Sequence, residues 1–210
     1  MGVGVMLTAG VVALAYGAGQ WRTGRPVERG AELLARGDYS TAVRTLLPAV
    51  AAAPRNARAH YYLGLAYDRV GLRQGAINQL ADAVRLDPGQ AQFHLDLGRA
   101  YRRAGDAERA VAELEEACRL GPAAARPHVE IAGVLIDQGR LDEAIARLRT
   151  AVRLRPRAPE IHLLLATALR RAGDGAGMAE HYREVSRLAD GTALGETARL
   201  ELRLAGLQGR

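Results

Sequence analysis

Residues 57–90 read ARAHYYLGLAYDRVGLRQGAINQLADAVRLDPGQ. Within this stretch Leu63-Gly64, Tyr67, Gly71, Ala76, Leu80, Ala83 and Pro88 fall on a helical period, so the segment encodes two amphipathic helices rather than strands. Gly71 stands where a left-handed residue closes the first helix. Pro88 lacks the amide that would prolong the second. The block reads helix, tight turn, helix, break.

The same residue types return in step on both sides. Gly37, Gly71, Gly105, Gly139 and Gly173 are evenly spaced. At the same interval stand Ala42, Ala76, Ala110 and Ala144, then Ala49, Ala83, Ala117 and Ala151, and finally Pro54, Pro88, Pro122 and Pro156. A fixed period of about 34 residues marks stacked supersecondary units, each hiding its apolar face against its neighbours. The recurring alanines let paired helices approach closely. Ala, Leu and Arg dominate the composition and aromatics make up 4%, which favours helix over strand throughout.

The set Leu-Gly, Tyr, Ala, Leu, Ala, Pro at these spacings resembles the tetratricopeptide repeat. The resemblance covers residues 23–192, as units 23–56, 57–90, 91–124, 125–158 and 159–192. It implies an all-α, right-handed α-solenoid of five stacked helix-turn-helix units, with a C-terminal capping helix in 193–210 and an N-terminal apolar helix in 1–22. The end units depart from the pattern: Pro26 and Arg29 in the first, and Met178, Val185 and Asp190 in the last, replace its usual residues. Terminal repeats meet solvent or a cap on one side. Ala193, Leu200, Leu204 and Leu207 share one helical face and are the face expected to seal the fifth unit. Gly175 and Gly177 are expected to weaken that unit's second helix.

From Met1 to Trp21 no side chain ionises, and the run from Val3 to Gly19 is nearly all apolar. Its length meets the lower limit for a membrane span, and Trp21 followed by Arg22 and Arg25 resembles an interfacial anchor. The segment reads as a single-pass membrane anchor, with the repeats leaning to the cytoplasm because the positive charges lie on their side. The alternative is a cleaved secretory signal at Ala13-Leu14-Ala15, which would leave the chain in the periplasm.

All 29 basic residues are arginine, and against 23 acidic residues they leave a net charge of +6. An arginine-only, alanine-rich chain suggests a GC-rich bacterial genome. Nucleic-acid binding by an arginine-rich face is the alternative function, but Asp68, Asp96, Glu130 and Asp137 interrupt that face and few aromatics are present to stack bases. Arg85, Arg119, Arg153 and Arg187 lie near the ends of second helices, where cations complement the helix dipole.

His60, His94, His128 and His162 repeat at the same interval as the turn glycines, a spacing that looks like a metal ladder. Equivalent residues of stacked hairpins sit roughly 10 Å apart, whereas two ligands of one zinc each lie within about 2.1 Å of it. A repeated packing position fits better, and His181, standing alone, is expected on the surface. Cys118, the one cysteine, falls in an apolar pattern and reads as a buried free thiol. Residues Gly19 to Pro26 have Arg25-Pro26 where a phosphate loop needs Lys and Ser or Thr, and Gly173-Asp174-Gly175 follows a helix, not a strand. Neither a nucleophile–base pair nor metal-ligand spacing is found, so no catalytic residue, metal or cofactor is expected.

In the resembled family, ligands lie along the concave surface made by the first helices. The matching positions are Arg58, Tyr61, Leu65, Asp68 and Arg69 in the second unit and Gln92, Leu95, Arg99, Arg102 and Arg103 in the third. The fourth supplies Arg126, Val129, Gly133, Ile136 and Asp137, and the fifth Leu163, Thr167, Arg170 and Arg171. The resemblance implies a non-catalytic adaptor that binds a protein or peptide through Tyr61, Leu65, Asp68, Arg69, Leu95, Arg99, Arg102, Arg103, Val129 and Ile136. Apolar anchors among forked guanidiniums suit a peptide with acidic and apolar side chains. The places where some members clamp a terminal carboxylate hold Val27, Ala31, Tyr61, Leu65, Leu95 and Arg99, so that specialisation is not implied.

Overall fold

The computed structural model describes residues 25–206. Among them are eleven helices: α1 (25–35), α2 (Tyr39–Ala52), α3 (Ala57–Arg69), α4 (Arg73–Leu86), α5 (Ala91–Ala104), α6 (Ala107–Leu120), α7 (Ala125–Asp137), α8 (Leu141–Leu154), α9 (Pro159–Arg171), α10 (Gly175–Leu188) and α11 (Ala193–Leu204). The odd-numbered helices from α3 onward begin at Ala57, Ala91, Ala125, Pro159 and Ala193, one repeat length apart. The period in the sequence is therefore a period of the backbone.

Local chemistry sets the helix ends. Gly37, Gly71, Gly105, Gly139 and Gly173 have φ between 75 and 84°, the left-handed region that a side chain disfavours. Asp38, Asn56, Asp106, Asp174 and Thr192 accept backbone N–H bonds from the first turns of α2, α3, α6, α10 and α11, satisfying donors that a helix start leaves open. Pro54, Pro88, Pro122 and Pro156 each stand just past the end of α2, α4, α6 and α8.

The helices fall into two compact units, one through Ala104 and one from Gly105. In the first, α2 packs on α3, α3 on α4 and α4 on α5, while α3 and α5 also touch. Its core holds Leu33, Ala42, Leu46, Leu63 and Ala66. Gly64 is glycine for a packing reason: a Cβ there would lie 2.8 Å from Leu80 Cγ. In the second unit, α6 to α11 pack each on the next, and α9 also meets α11. Leu114, Ile131, Leu148, Leu165, Tyr182 and Val185 are fully buried there, each contributing about 1.5–3 kcal/mol of hydrophobic stabilisation.

Two expectations need correction. The membrane-anchored reading is overturned for the described residues: none of their helices is long and apolar enough to cross a membrane. Helices α2 to α11 run 12 to 14 residues, short of the roughly 20 a span requires. Segment 1–22 lies outside the described residues. Next, α11 packs on α10 and α9 as a cap, but through Gly195, Ala198 and Leu202. Leu200 and Leu204 point away, 52% and 75% exposed, Ala193 is exposed, and Leu207 lies outside the described residues. Gly177 has a local role at the start of α10. A Cβ there would come 2.6 Å from Asp174 Oδ2, and Asp174 Oδ1 accepts the Gly177 amide at 2.8 Å, so the glycine admits the capping carboxylate.

Candidate functional site

The histidine ladder is the most regular polar feature. Nε2 of His60, His94 and His162 lies 3.0 Å from the carbonyl oxygens of Pro54, Pro88 and Pro156 respectively. A carbonyl only accepts, so Nε2 carries the proton, and a neutral ring then offers Nδ1 as an acceptor. These three rings are buried. Each ties its own first helix to the proline break before it, which accounts for the regular spacing without a metal. Among the described residues no group of three or more His, Cys, Asp or Glu is placed to hold a metal ion.

What Nδ1 meets differs from repeat to repeat. At a constant offset beyond the four histidines stand Gln79, Glu113, Arg147 and His181. His60 Nδ1 lies 2.8 Å from the Gln79 amide, and His162 Nδ1 lies 3.1 Å from His181 Nδ1. His181 is thus half-buried and bonded rather than standing alone on the surface. Burial, and then the neighbouring His162, push its pKa below the usual histidine value. In the fourth repeat Arg147 turns instead to Glu115 of α6, leaving His128 Nδ1 buried without a partner. Burial and the Arg147 charge push His128 down as well. The offset was present in the sequence, but the four residues standing there differ in chemistry and share no recognisable type.

On the first unit, the face shared by α3 and α5 is a braced network. Tyr61 stacks on Phe93 with ring centroids 4.5 Å apart. Its hydroxyl donates to Asp96 Oδ2 at 2.8 Å, where Gln92 Nε2 also donates at 2.7 Å. Arg99 Nη1 lies 3.1 Å from Asp96 Oδ1. Asp96 is 5% exposed, so three donors satisfy a buried carboxylate. Burial, then the Asp96 charge, hold the Tyr61 phenol far above its ordinary pKa. Arg103 Nη2 reaches Asp68 Oδ2 at 2.7 Å, joining α5 to α3.

The expected contact residues therefore divide. Leu95 is 4% exposed and belongs to the core, which removes it from a ligand's reach. Tyr61, Asp68 and Arg103 brace neighbouring first helices, while Arg99 holds Asp96 from within α5. Leu65 is half-buried, and Arg69 is exposed with its guanidinium 5.6 Å from the Tyr39 ring centre, within cation–π range. Arg102, next to Arg103 in α5, is half-buried. In the second unit Val129 packs against the cluster of Ala125, Ala151 and Ile161, and Ile136 is half-buried. There Arg170 Nη1 pairs with Glu201 of α11 at 3.0 Å.

Cys118 is half-buried, less enclosed than its apolar pattern implied. Burial and then Glu115 push its thiol up, away from the thiolate a reactive cysteine needs.

Helical hairpins repeating at a fixed interval, braced by periodic polar contacts, define the class of helical-repeat interaction scaffolds. The chain matches the model described as "TPR repeat" over residues 132–173 and that described as "Tetratricopeptide repeat" over 27–72 and 64–125. These matches span more than half of its 210 residues, and the chain belongs to the tetratricopeptide-repeat family. It matches no curated protein. Among solved structures it is similar to residues 41 to the end of MamA from Desulfovibrio magneticus RS-1, at 22% identity and a TM-score of 0.73, covering 81% of this chain and 97% of that one. PilF of Pseudomonas aeruginosa is 19% identical with a TM-score of 0.72, covering 89% and 93%. YrrB, described as "a TPR protein with an unusual peptide-binding site", is 15% identical with a TM-score of 0.67, covering 83% and 90%. At these identities the likeness is one of fold. Together with the family it makes the chain a protein–protein interaction scaffold.

Proposed function

We propose that the chain is a non-catalytic adaptor whose first-helix face on α3 and α5 takes a peptide segment with apolar and acidic side chains. The observation that carries this reading is partly open apolar surface at Tyr61 and Leu65 beside the exposed guanidiniums of Arg69 and Arg103, on two helices joined by Tyr61–Asp96 and Asp68–Arg103. The network keeps the helices in place, so little order has to be created on binding. Guanidinium forks favour carboxylates, and YrrB offers a precedent within the fold for peptide binding.

Nucleic acid is the poorer fit, because Asp68 and Asp96 sit within the same face and draw on its arginines. The test is an immobilised peptide panel contrasting acidic-apolar sequences with basic-apolar and scrambled ones, probed with wild type and with an Arg69→Glu, Arg102→Glu double variant. Wild type should prefer the acidic-apolar set by about tenfold, the equivalent of roughly 1.4 kcal/mol, and the variant should lose that preference. An unchanged preference in the variant, or a wild-type preference for basic peptides, removes this face as the binding site.

A further inference from the structure

The outer face of α11 has no partner within the described residues. Gly195, Ala198 and Leu202 face inward onto the fifth repeat, and at about 100° per residue Leu200 lies on the opposite side of the helix with Leu204 beside it. Leu200 and Leu204 are the most exposed leucines among the described residues of the second unit. A helix with apolar residues on both sides is built to be covered twice.

A second helix of α11's own hairpin is not the natural cover. The position that Leu200 occupies holds Gly30, Gly64, Gly98, Ala132 and Ala166 in the preceding first helices. It is small there because a second-helix leucine fills the space: a Cβ on Gly64 would sit 2.8 Å from Leu80 Cγ, and one on Gly30 would fall inside the Leu46 side chain. Leu200 occupies the volume such a helix would need. α11 has departed from the repeat at the residue that admits a hairpin partner.

We propose that this face pairs with the same face of a second copy of the chain, α11 lying antiparallel on α11 about a two-fold axis near Leu200. The charge pattern supports that occupant. Glu196 and Arg203 lie two turns apart along one edge of the leucine stripe and both are exposed; Glu196 is 3.3 Å from Arg199, which Asp190 also engages at 2.8 Å, so Glu196 can turn to a partner's guanidinium. An isologous antiparallel pair brings each edge against its own counterpart, which sets Glu196 of one copy beside Arg203 of the other and does so twice. A parallel two-fold pair would instead set this edge against the opposite one, so the two charges would not meet. Two leucines per copy make a patch well under the roughly 1,200–2,000 Å² of stable interfaces, so the dimer is weak and dependent on concentration.

Sedimentation velocity of the full chain over a range of concentrations tests the proposal. Wild type should show a monomer–dimer equilibrium, and Leu200→Glu with Leu204→Glu should raise the dissociation constant by about tenfold or more, as expected for exposing apolar area buried on both copies. Because both leucines are exposed in the monomer, thermal unfolding of the double variant should match wild type. Glu196→Arg alone and Arg203→Glu alone should each weaken the dimer, and the two together should restore it. A wild type that stays monomeric throughout leaves the face to another partner and overturns the proposal. A dimer indifferent to the leucine substitutions overturns it too, as does one that the charge exchange fails to restore.

Discussion

Asp96 is the residue on which the α3–α5 face depends, and its two nearest substitutions should differ in a way the geometry dictates. In Asp96→Asn one oxygen becomes an amide group. The side chain can keep an oxygen at the Oδ2 place, where Tyr61 and Gln92 both donate, and turn its NH2 toward Arg99. Arg99 bonds the other oxygen at 3.1 Å and has a side chain 28% exposed, so its guanidinium can recover water. The loss is then that of one partly screened charged hydrogen bond, about 1–2 kcal/mol. Asp96→Ala leaves the Tyr61 hydroxyl and the Gln92 amide without their acceptor and opens a small void, a loss of about 3–5 kcal/mol. Urea unfolding followed by far-UV circular dichroism measures both, and hydrogen exchange on α3 and α5 shows whether the loss is local, as repeat arrays allow. In a double-mutant cycle Tyr61→Phe should couple strongly to Asp96→Ala and weakly to Asp96→Asn. Equal losses for Asn and Ala, or an Ala variant within about 0.5 kcal/mol of wild type, which is the range of ordinary surface substitutions, would refute the network as described.

Other consequences can be measured directly. His181 has its pKa lowered by burial and by His162, so the folded chain holds it neutral while the unfolded chain protonates it more readily. The stability it contributes is complete above the free histidine pKa of about 6.5 and is lost as pH falls toward the lower folded value. Gln79 occupies the equivalent place beside His60, so His181→Gln should keep a donor to His162 and flatten the stability profile on the acid side of about pH 6.5. Thermal unfolding across that range reads the difference; identical profiles would exclude His181 as the titrating group. Gly64→Leu should separate α3 from α4 and destabilise the first unit by at least about 1–3 kcal/mol, whereas Gly71→Ala, at φ 84° with nothing within 4 Å of a new Cβ, should lose about 1 kcal/mol from backbone strain. Urea titration orders the pair. Cys118 should react with iodoacetamide at about pH 8 roughly tenfold more slowly than free cysteine, since its thiol is raised and half-buried; a rate equal to the free thiol's would contradict its burial.

The period was readable because each of its residues does one job everywhere. A turn glycine in the left-handed region or a post-helix proline is needed in every unit whatever surrounds it. The contacts that make the candidate site were not readable for the opposite reason. Tyr61 with Asp96 and Asp68 with Arg103 are each separated by a repeat and one position more, so they cross between hairpins and do not recur. Position alone also misled at Leu95, which takes the place of Tyr61 and Val129 in its repeat yet lies in the core. The misread face of α11 has the same origin. Hydrophobicity points to Leu200 and Leu204, but the closest helix approach selects small side chains, and Gly195 and Ala198 score as the less greasy side while making the tighter contact. On such a helix the most apolar stripe marks where a partner remains to be added.

The pairings also decide how a net charge of +6 can act. On the first unit's face Arg99 and Arg103 already hold Asp96 and Asp68, so a ligand carboxylate that approaches Arg103 exchanges one ion pair for another and gains little from charge alone. Arg103 is 43% exposed and Asp68 only 16%. The guanidinium can therefore turn outward, but the aspartate it leaves must then find water. Affinity on this face has to come from apolar contact at Tyr61 and Leu65, with the arginines choosing among partners and aligning them. Raising salt from about 0.05 to 0.5 M, which shortens the screening length from roughly 14 to 4 Å, should consequently reduce peptide selectivity more than peptide affinity. A loss of affinity that tracks salt as steeply as a polyanion's would mean that the arginines, rather than the tyrosine and leucine between them, provide the grip.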